Sequence, residues 1–552
     1  MKENPNILFV CIPTLPLDLL RESFAGESPH PQILTTPLGI LYLSAYMKKN
    51  NDIGKVGLLD YNAFLPNIVN YTKIEEYLLA EIDNQVKFEP DIIGISYMFT
   101  TSYSFFEVMI PIIRKRWPKA LIVVGGIHAT NYYKLLLASP NIDIVVRGEG
   151  EIAFTELIKQ YSNNTHGKIR GVIHKDDVAD ELHALTVSDQ ITNLDELPLP
   201  DWDLCAMERY ATSTGRRRSI GDTLTKRIAS IMTTRGCPFK CTFCAAHSIN
   251  GRKLRFRSID KVMEEITALN KRYGITLIDI NDDLFNAKKD RTILLLKKFK
   301  ALRIPDLELQ IPSGLYVNLL DKDIIDAIIE CDIKIVNFAV ESGSAYVQKN
   351  IIKKNVNLDK AKELVKYCRS KGLTVRCFFI FGFPDETKDL MEETVNYIKE
   401  LKSDWCTFFI ATPLKGAEIY DEFLKRGYIQ ENMELLSSLF LRDRTFDTKE
   451  ISAVDLQEFI YRLNLDINFV NNPNFGDGDF DKAIDLFNDI LSVYHFHIFA
   501  LYGLYLSYIG KGAQQEAENI LHRIKLLVQS NEQSKEMYHK YKDLLPTRLI
   551  EN

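Results

Sequence analysis

Continuous apolar runs alternate with stretches of helical spacing twice along this 552-residue chain, and the double alternation constrains the fold more than any other feature. In the first series the runs at 6–12, 55–60, 91–96, 120–125 and 142–146 read as strands, and 37–47, 74–86 and 104–117 as helices. Strands that are apolar throughout must be covered on both faces, which predicts a doubly wound, Rossmann-like parallel sheet. The second series begins with the run 228–232. It continues with strands at 277–280, 307–312, 333–340, 374–381 and 406–411, separated by helices at 259–273, 291–302, 321–330, 358–371 and 390–401. These steps predict a partial (β/α)6 barrel of TIM type, open on one side. Beyond 429 the pattern is helical, with helices expected at 455–468, 481–493, 497–509 and 514–528 around a polar break at 471–478. The expected division is an α/β domain over 1–162, a connector over 163–225, the barrel over 226–428 and an α-helical domain over 429–552.

Ligands on parallel sheets and barrels collect at the carboxyl ends of the strands. The polar clusters of this sequence fall there. In the first unit they are 13–16, Asp60-Tyr61-Asn62, Ser96-Tyr97, Gly125-Gly126-Ile127-His128-Ala129-Thr130 and Arg147-Gly148-Glu149-Gly150-Glu151. Gly125-Gly126 lets backbone approach a ligand closely. No G-x-G-x-x-G occurs, so a nicotinamide domain is not supported. Asp60 and Asn62 suit either a ligand amide or an ordinary turn, and His128 suits either a ligand contact or a satisfied loop.

The first barrel strand feeds a loop carrying Cys237, Cys241 and Cys244 at C-x-x-x-C-x-x-C spacing, with Phe243 before the last cysteine. Three thiolates are one short of the set that closes a cysteine-ligated iron–sulfur cluster. One iron then keeps the open position a catalytic metal needs. A Cys₃His zinc site using His247 is the alternative, although zinc sites usually space two short ligand pairs well apart. Unliganded buried cysteines are the other.

The cysteine loop resembles that of the radical S-adenosylmethionine (SAM) enzymes. The resemblance implies a [4Fe–4S] cluster whose unique iron chelates SAM, and reductive cleavage to a 5′-deoxyadenosyl radical. Further segments resemble the family's motifs in order. Phe243 is implied to lie near the adenine, and Asp282-Asp283 to meet the amino group of SAM. Glu341-Ser342 is implied to reach its ribose and carboxylate, and Phe379 to Gly382 to pack the adenine. The first unit resembles the cobalamin-binding domains that precede many of these barrels, through its GG-x-HAT and RGEGE loops. Asp60, Asn62, Ser96, Gly125, Gly126, His128 and Glu149 are its implied cobalamin contacts. The D-x-H-x-x-G motif that supplies a lower axial histidine in mutases is absent. The reaction most common in that family is methylation of an unreactive carbon or phosphorus. Its cofactors would carry the chemistry while the protein supplies placement. Ring closure or rearrangement, methylthiotransfer and a non-catalytic corrinoid sensor are the alternatives. An external electron donor of flavodoxin or ferredoxin type and a small-molecule or peptide substrate are implied partners.

The net charge of −6 gives no basic field for nucleic acid. The nine cysteines form no disulfide framework and fit a reducing, cytoplasmic setting. No targeting segment is visible, and the longest apolar run, 498–509, is too short for a membrane span. Residues 194–201 read as a proline-stiffened linker, and Arg216-Arg217-Arg218 as a solvated face or an anion contact. The last helices have a weak tetratricopeptide-like look. They are expected either to cap the open side of the barrel or to bind a partner.

Overall fold

A computed structural model describes residues 4–14, 16, 17, 20, 36–211, 226–431 and 444–546. The Arg216–Arg218 run lies outside these residues, as does part of the 13–16 cluster. The first unit is a six-stranded sheet of order β2-β1-β3-β4-β5-β6. Its strands are β1 (Ile7–Cys11), β2 (Val56–Asp60), β3 (Ile92–Ser96), β4 (Leu121–Gly125), β5 (Ile144–Val146) and β6 (Val172–His174). The first five run parallel, and their strand order reverses between β1 and β3. Cys11 and Ser96 sit side by side at that switch point, where such sheets open a ligand crevice. Strand β6 pairs antiparallel with β5, so the sheet takes its last strand from the stretch expected to be connector.

The barrel comprises two parallel three-stranded arcs. One holds β7 (Ile228–Ile231), β10 (Leu277–Ile280) and β11 (Glu308–Gln310); the other holds β12 (Ile335–Glu341), β13 (Thr374–Phe381) and β14 (Trp405–Ile410). A single bridge, Leu315 to Phe338, joins the arcs. Between β7 and β10 lies a two-residue ribbon, β8 (Thr234–Arg235) with β9 (Arg255–Phe256). Amphipathic helices cover the outside, and several start at side-chain caps: Ser258 accepts from the Lys261 N–H, Asp321 from Ile324 and Asn357 from Lys360. One apolar core runs from the barrel interior (Ile231, Phe338, Phe379) to helix Leu38–Asn50 of the first unit and to Trp202 of the connector. The units therefore share a core.

The helical end of the chain seals the outer edge of β14. Asn468 accepts from the Cys406 N–H and donates to the Cys406 carbonyl, both at 2.8 Å, as a neighbouring strand would. Trp405 packs edge-on against Phe469 at 5.4 Å. The expected helices appear as Ala453–Leu465, Phe480–Val493, Ile498–Gly510 and Gln514–Ser530, with a further one, Glu532–Tyr541, that the pattern did not single out. The polar break contains a short helix, Pro473–Asp477. Two helices pack closely at Gly503, where a Cβ would stand 2.5 Å from the Phe487 ring. We predict that Asn468→Ala, which strands a buried N–H and C=O on β14, costs about 2 kcal/mol, read as a lowered denaturant midpoint at unchanged slope.

Candidate active site at the barrel mouth

The cysteine loop is clamped at both ends. At its entry Asp282 accepts the N–H groups of Thr233 and Thr234 at 2.6 and 3.0 Å and the Thr233 hydroxyl at 2.6 Å. Toward its exit Thr242 donates its N–H to Ile352 at 3.1 Å and its hydroxyl to Ile351 at 2.9 Å. Cys237 and Cys241 lie between the clamps and Cys244 two residues past the second; all three are half-buried, whereas Cys205, Cys331, Cys368, Cys377 and Cys406 are buried. Partial burial pushes the three thiols up, Cys241 to about 11; Cys244 adds to the rise of Cys237 and Cys241, and Cys237 to that of Cys241. Among the described residues no three His, Cys, Asp or Glu side chains close on a point as for one metal ion. The three thiols lie close enough to act on one another's charge, and three cysteine sulfurs on one loop are the donors an iron–sulfur cluster takes. The donor set fits such a group.

Lys354 faces this loop and opposes the rise of all three thiols. It is the one lysine buried among the described residues, and its Nζ lies 2.7 Å from Glu341 Oε1. Glu341 ends β12 at φ 71°, left-handed for a residue with a side chain, at a register shift in the β12–β13 pairing. Such strain persists where surrounding contacts over-determine it and clusters at functional sites. Ser342 is buried, sharing a hydrogen bond of 3.0 Å with Thr394. Asp283 follows β10 and is exposed, taking Asn250 at 2.8 Å and the Gly236 N–H at 3.3 Å. The surrounding protein raises its carboxyl above the ordinary range, and its charge in turn raises Cys237 and Cys244. Phe243 faces Phe383 at 6.2 Å in a small apolar cluster. That cluster also takes Ile127 and Tyr132 from the first unit and Ala411 from beyond β14.

The first unit turns its carboxyl edge toward this mouth. Met98 and Phe99, just past β3, are 44% and 49% exposed, an apolar surface of the kind a corrin ring covers. Gly126, at φ 106°, lets its turn lie against the Tyr97 carbonyl, which a Cβ would meet at 2.5 Å. His128 is buried, stacked between Tyr97 at 4.0 Å and Tyr132 at 4.5 Å. Its Nδ1 pairs with Thr100 at 3.1 Å, and its Nε2 is buried with no hydrogen-bond partner. Burial pushes its pKa down to about 3, so it is neutral.

Several implied contacts have other partners. Asp282 is spent on the loop entry, so of the acidic pair only Asp283 is open to a ligand. Asp60 is buried: Tyr210 of the connector donates to Oδ2 and the Ala63 N–H to Oδ1 at 2.9 Å. Asn62 is buried beside it. Glu149 is buried in ion pairs with Arg235 and Arg255. Phe379 is wholly inside the barrel core, against Phe408. Gly382, at φ 84°, gives its carbonyl to Arg444 at 2.9 Å and its N–H to Glu386 at 2.6 Å. Ser96 and Gly125 remain at the strand ends of the crevice. Lys354, Arg235 and Arg255 were not singled out by their positions in the sequence. The only signal was that two arginines bracket the cysteine loop.

Burial pushes the Asp60 carboxyl up to about 6 against the hydrogen bonds that hold it down. An unfolded aspartate titrates near about 3.9. The folded state therefore holds the extra proton, and this stabilisation is lost as pH rises through about 6. We predict that the fall in unfolding free energy between about pH 4 and pH 7 is larger in the native chain than in Asp60→Asn, by about 2 kcal/mol.

The radical SAM superfamily model matches residues 231–398, and the B12 binding domain model matches 32–158. An uncharacterized methyltransferase of Pyrococcus horikoshii is 30% identical over 387 residues, covering 70% of this chain and 78% of that protein. The chain is a cobalamin-binding member of the radical SAM superfamily. Cytidylyl-2-hydroxyethylphosphonate methyltransferase of Streptomyces wedmorensis is 28% identical over 481 residues, 81% of this chain and 84% of that one. The cobalamin-dependent radical SAM enzyme OxsB, solved with aqua-cobalamin and SAM bound, shares the fold. Its TM-score is 0.58 at 17% identity, over 99% of this chain and 82% of that one. This radical SAM chain is thus an enzyme whose family cofactors are a [4Fe–4S] cluster, SAM and cobalamin. Such enzymes take an electron from a reductant. No helix among its described residues is long and apolar enough to cross a membrane.

Proposed function

We propose that this chain methylates an unactivated carbon of a small-molecule or peptide substrate. The observation that supports the reading is that three half-buried thiols and the carboxyl edge of the first sheet meet at one shared apolar cluster. When bound, the iron–sulfur cluster supplies the electron that cleaves SAM, and cobalamin carries the methyl group. Cys237, Cys241 and Cys244 would hold the cluster. Asp283 and the Lys354–Glu341 pair offer opposite charges at the mouth, complementary to the amino and carboxylate groups of SAM. Phe243 with Phe383 offers an apolar wall for its adenine. Phe379 and Gly382 act from behind, by fixing β13 and its turn. Met98, Phe99, Ser96 and Gly125 line the edge that would take the corrin, while buried, neutral His128 stiffens the 125–130 turn. A mouth set between the two units, with an apolar cluster shared by both, would keep water from a radical reaction. The division at 162, 225 and 428 belongs to this reading, with the edge strand β6 carried by the connector. So do a flavodoxin- or ferredoxin-type donor and a cytoplasmic setting, which suits nine free cysteines.

The test is anaerobic reconstitution with cluster, cobalamin, SAM and a chemical reductant, with candidate substrates. Methylation yields 5′-deoxyadenosine and S-adenosylhomocysteine in equal amounts and a product heavier by one methylene. Formation of 5′-deoxyadenosine without S-adenosylhomocysteine would move the chain to ring closure or rearrangement.

A further inference from the structure

Strands β8 and β9 set Arg235 directly opposite Arg255. Like charges facing each other across an antiparallel pair are destabilising, and both side chains are buried. The opposing charge comes from the other unit. Glu149 takes Arg255 through both oxygens, one contact at 2.9 Å, and its Oε2 stands 3.4 Å from Arg235. Glu151 pairs with Arg235 at 2.8 Å. Arg235 is two residues before Cys237, and Arg255 also donates at 2.9 Å to the carbonyl of Asn250, next to Gly251, which takes the Cys237 N–H at 3.3 Å.

On its other side the 147–151 loop is tied to the 125–130 turn. The Thr130 hydroxyl accepts the Gly148 N–H at 3.0 Å, and the Thr130 carbonyl accepts Arg147 Nε at 3.0 Å. Hydrogen bonds and ion pairs thus run without a gap from the turn at the corrin edge to the base of the cysteine loop. A two-residue ribbon has few backbone bonds of its own. It can open locally unless the carboxylates are seated.

We infer that Glu149 and Glu151 are positioning residues that couple cobalamin binding to retention of the iron–sulfur cluster, through the Arg235–Arg255 ribbon. The inference rests on the proposed function. Cobalamin fixes the 125–130 turn, the turn seats the two carboxylates, and the carboxylates close the ribbon under Cys237. Coupling of this kind is reciprocal, so the cluster in turn strengthens cobalamin binding.

The test uses the full-length chain, anaerobically reconstituted with cluster, with and without hydroxocobalamin. Iron release to a strong ferrous chelator is followed by absorbance. Cobalamin is expected to slow release from the native protein by about fivefold or more. The double variant Glu149→Gln/Glu151→Gln is expected to release iron equally fast with and without cobalamin, while still binding cobalamin after desalting. Retention of the native cobalamin dependence by the double variant overturns the inference, as does its absence from the native chain. If the double variant does not fold, Glu151→Gln alone decides, because it leaves the Glu149–Arg255 pair intact. A reduced dependence supports the coupling and an unchanged one overturns it. A native chain that loads no cluster or no corrinoid contradicts the proposed function itself, and this inference falls with it.

Discussion

Cys241→Ala is expected to lose its iron almost completely while keeping its fold. The thiol is half-buried on a loop outside the apolar core, so its removal opens no cavity there. The clamps on either side, Asp282 and Thr242, do not use it. Unfolding free energy should therefore move by no more than about 0.5 kcal/mol in the apoprotein. With two sulfurs left, the cluster loses a protein ligand it cannot replace, and 5′-deoxyadenosine formation should fall below detection. Iron and sulfide content measured beside the far-ultraviolet circular dichroism spectrum checks both halves. Native iron content in the variant would contradict the ligand assignment.

The second large effect separates two adjacent carboxylates. Asp282→Ala leaves the buried N–H groups of Thr233 and Thr234 and the Thr233 hydroxyl without their acceptor. At about 1–3 kcal/mol for each of three buried donors left unpaired, the expected loss is about 3 kcal/mol or more. It should appear as a lowered denaturant midpoint even without cofactors. Asp283→Ala removes an exposed side chain with one side-chain partner, Asn250, and should cost under about 1 kcal/mol. Its effect should fall on SAM, as weaker binding to the cluster-loaded protein with the iron retained. Equal loss of stability in the two variants would mean that the clamp at the loop entry is not what Asp282 provides.

Most parallel strands were legible because they are largely apolar, even where β10, β12 and β13 carry Asp279, Asn337 and Arg376, and the helices because their apolar residues return at helical spacing. Strand β6 and the β8–β9 ribbon were not legible. They are three and two residues long, too short to show a period, and exist only because a partner strand is present. The cysteine triplet carried its chemistry in its spacing. Asp282 and Asp283 carried the right residue types, but neighbouring positions at a strand end point in different directions, and sequence does not say which one faces the mouth. The ion pair of Glu149 was out of reach of a local reading, since its arginine lies 106 residues further on. Lys354 lies in a lysine-rich stretch that reads as a solvated face. Only the fold buries it against Glu341.

The proposed function requires Cys237, Cys241 and Cys244 to hold an iron–sulfur cluster in a chain that also binds a corrinoid. Metal and corrinoid analysis of the anaerobically isolated full-length chain tests that most directly. The expected result is about four irons with matching sulfide and a corrinoid absorbance in the same brown protein. Colourless protein carrying zinc and no corrinoid would contradict it.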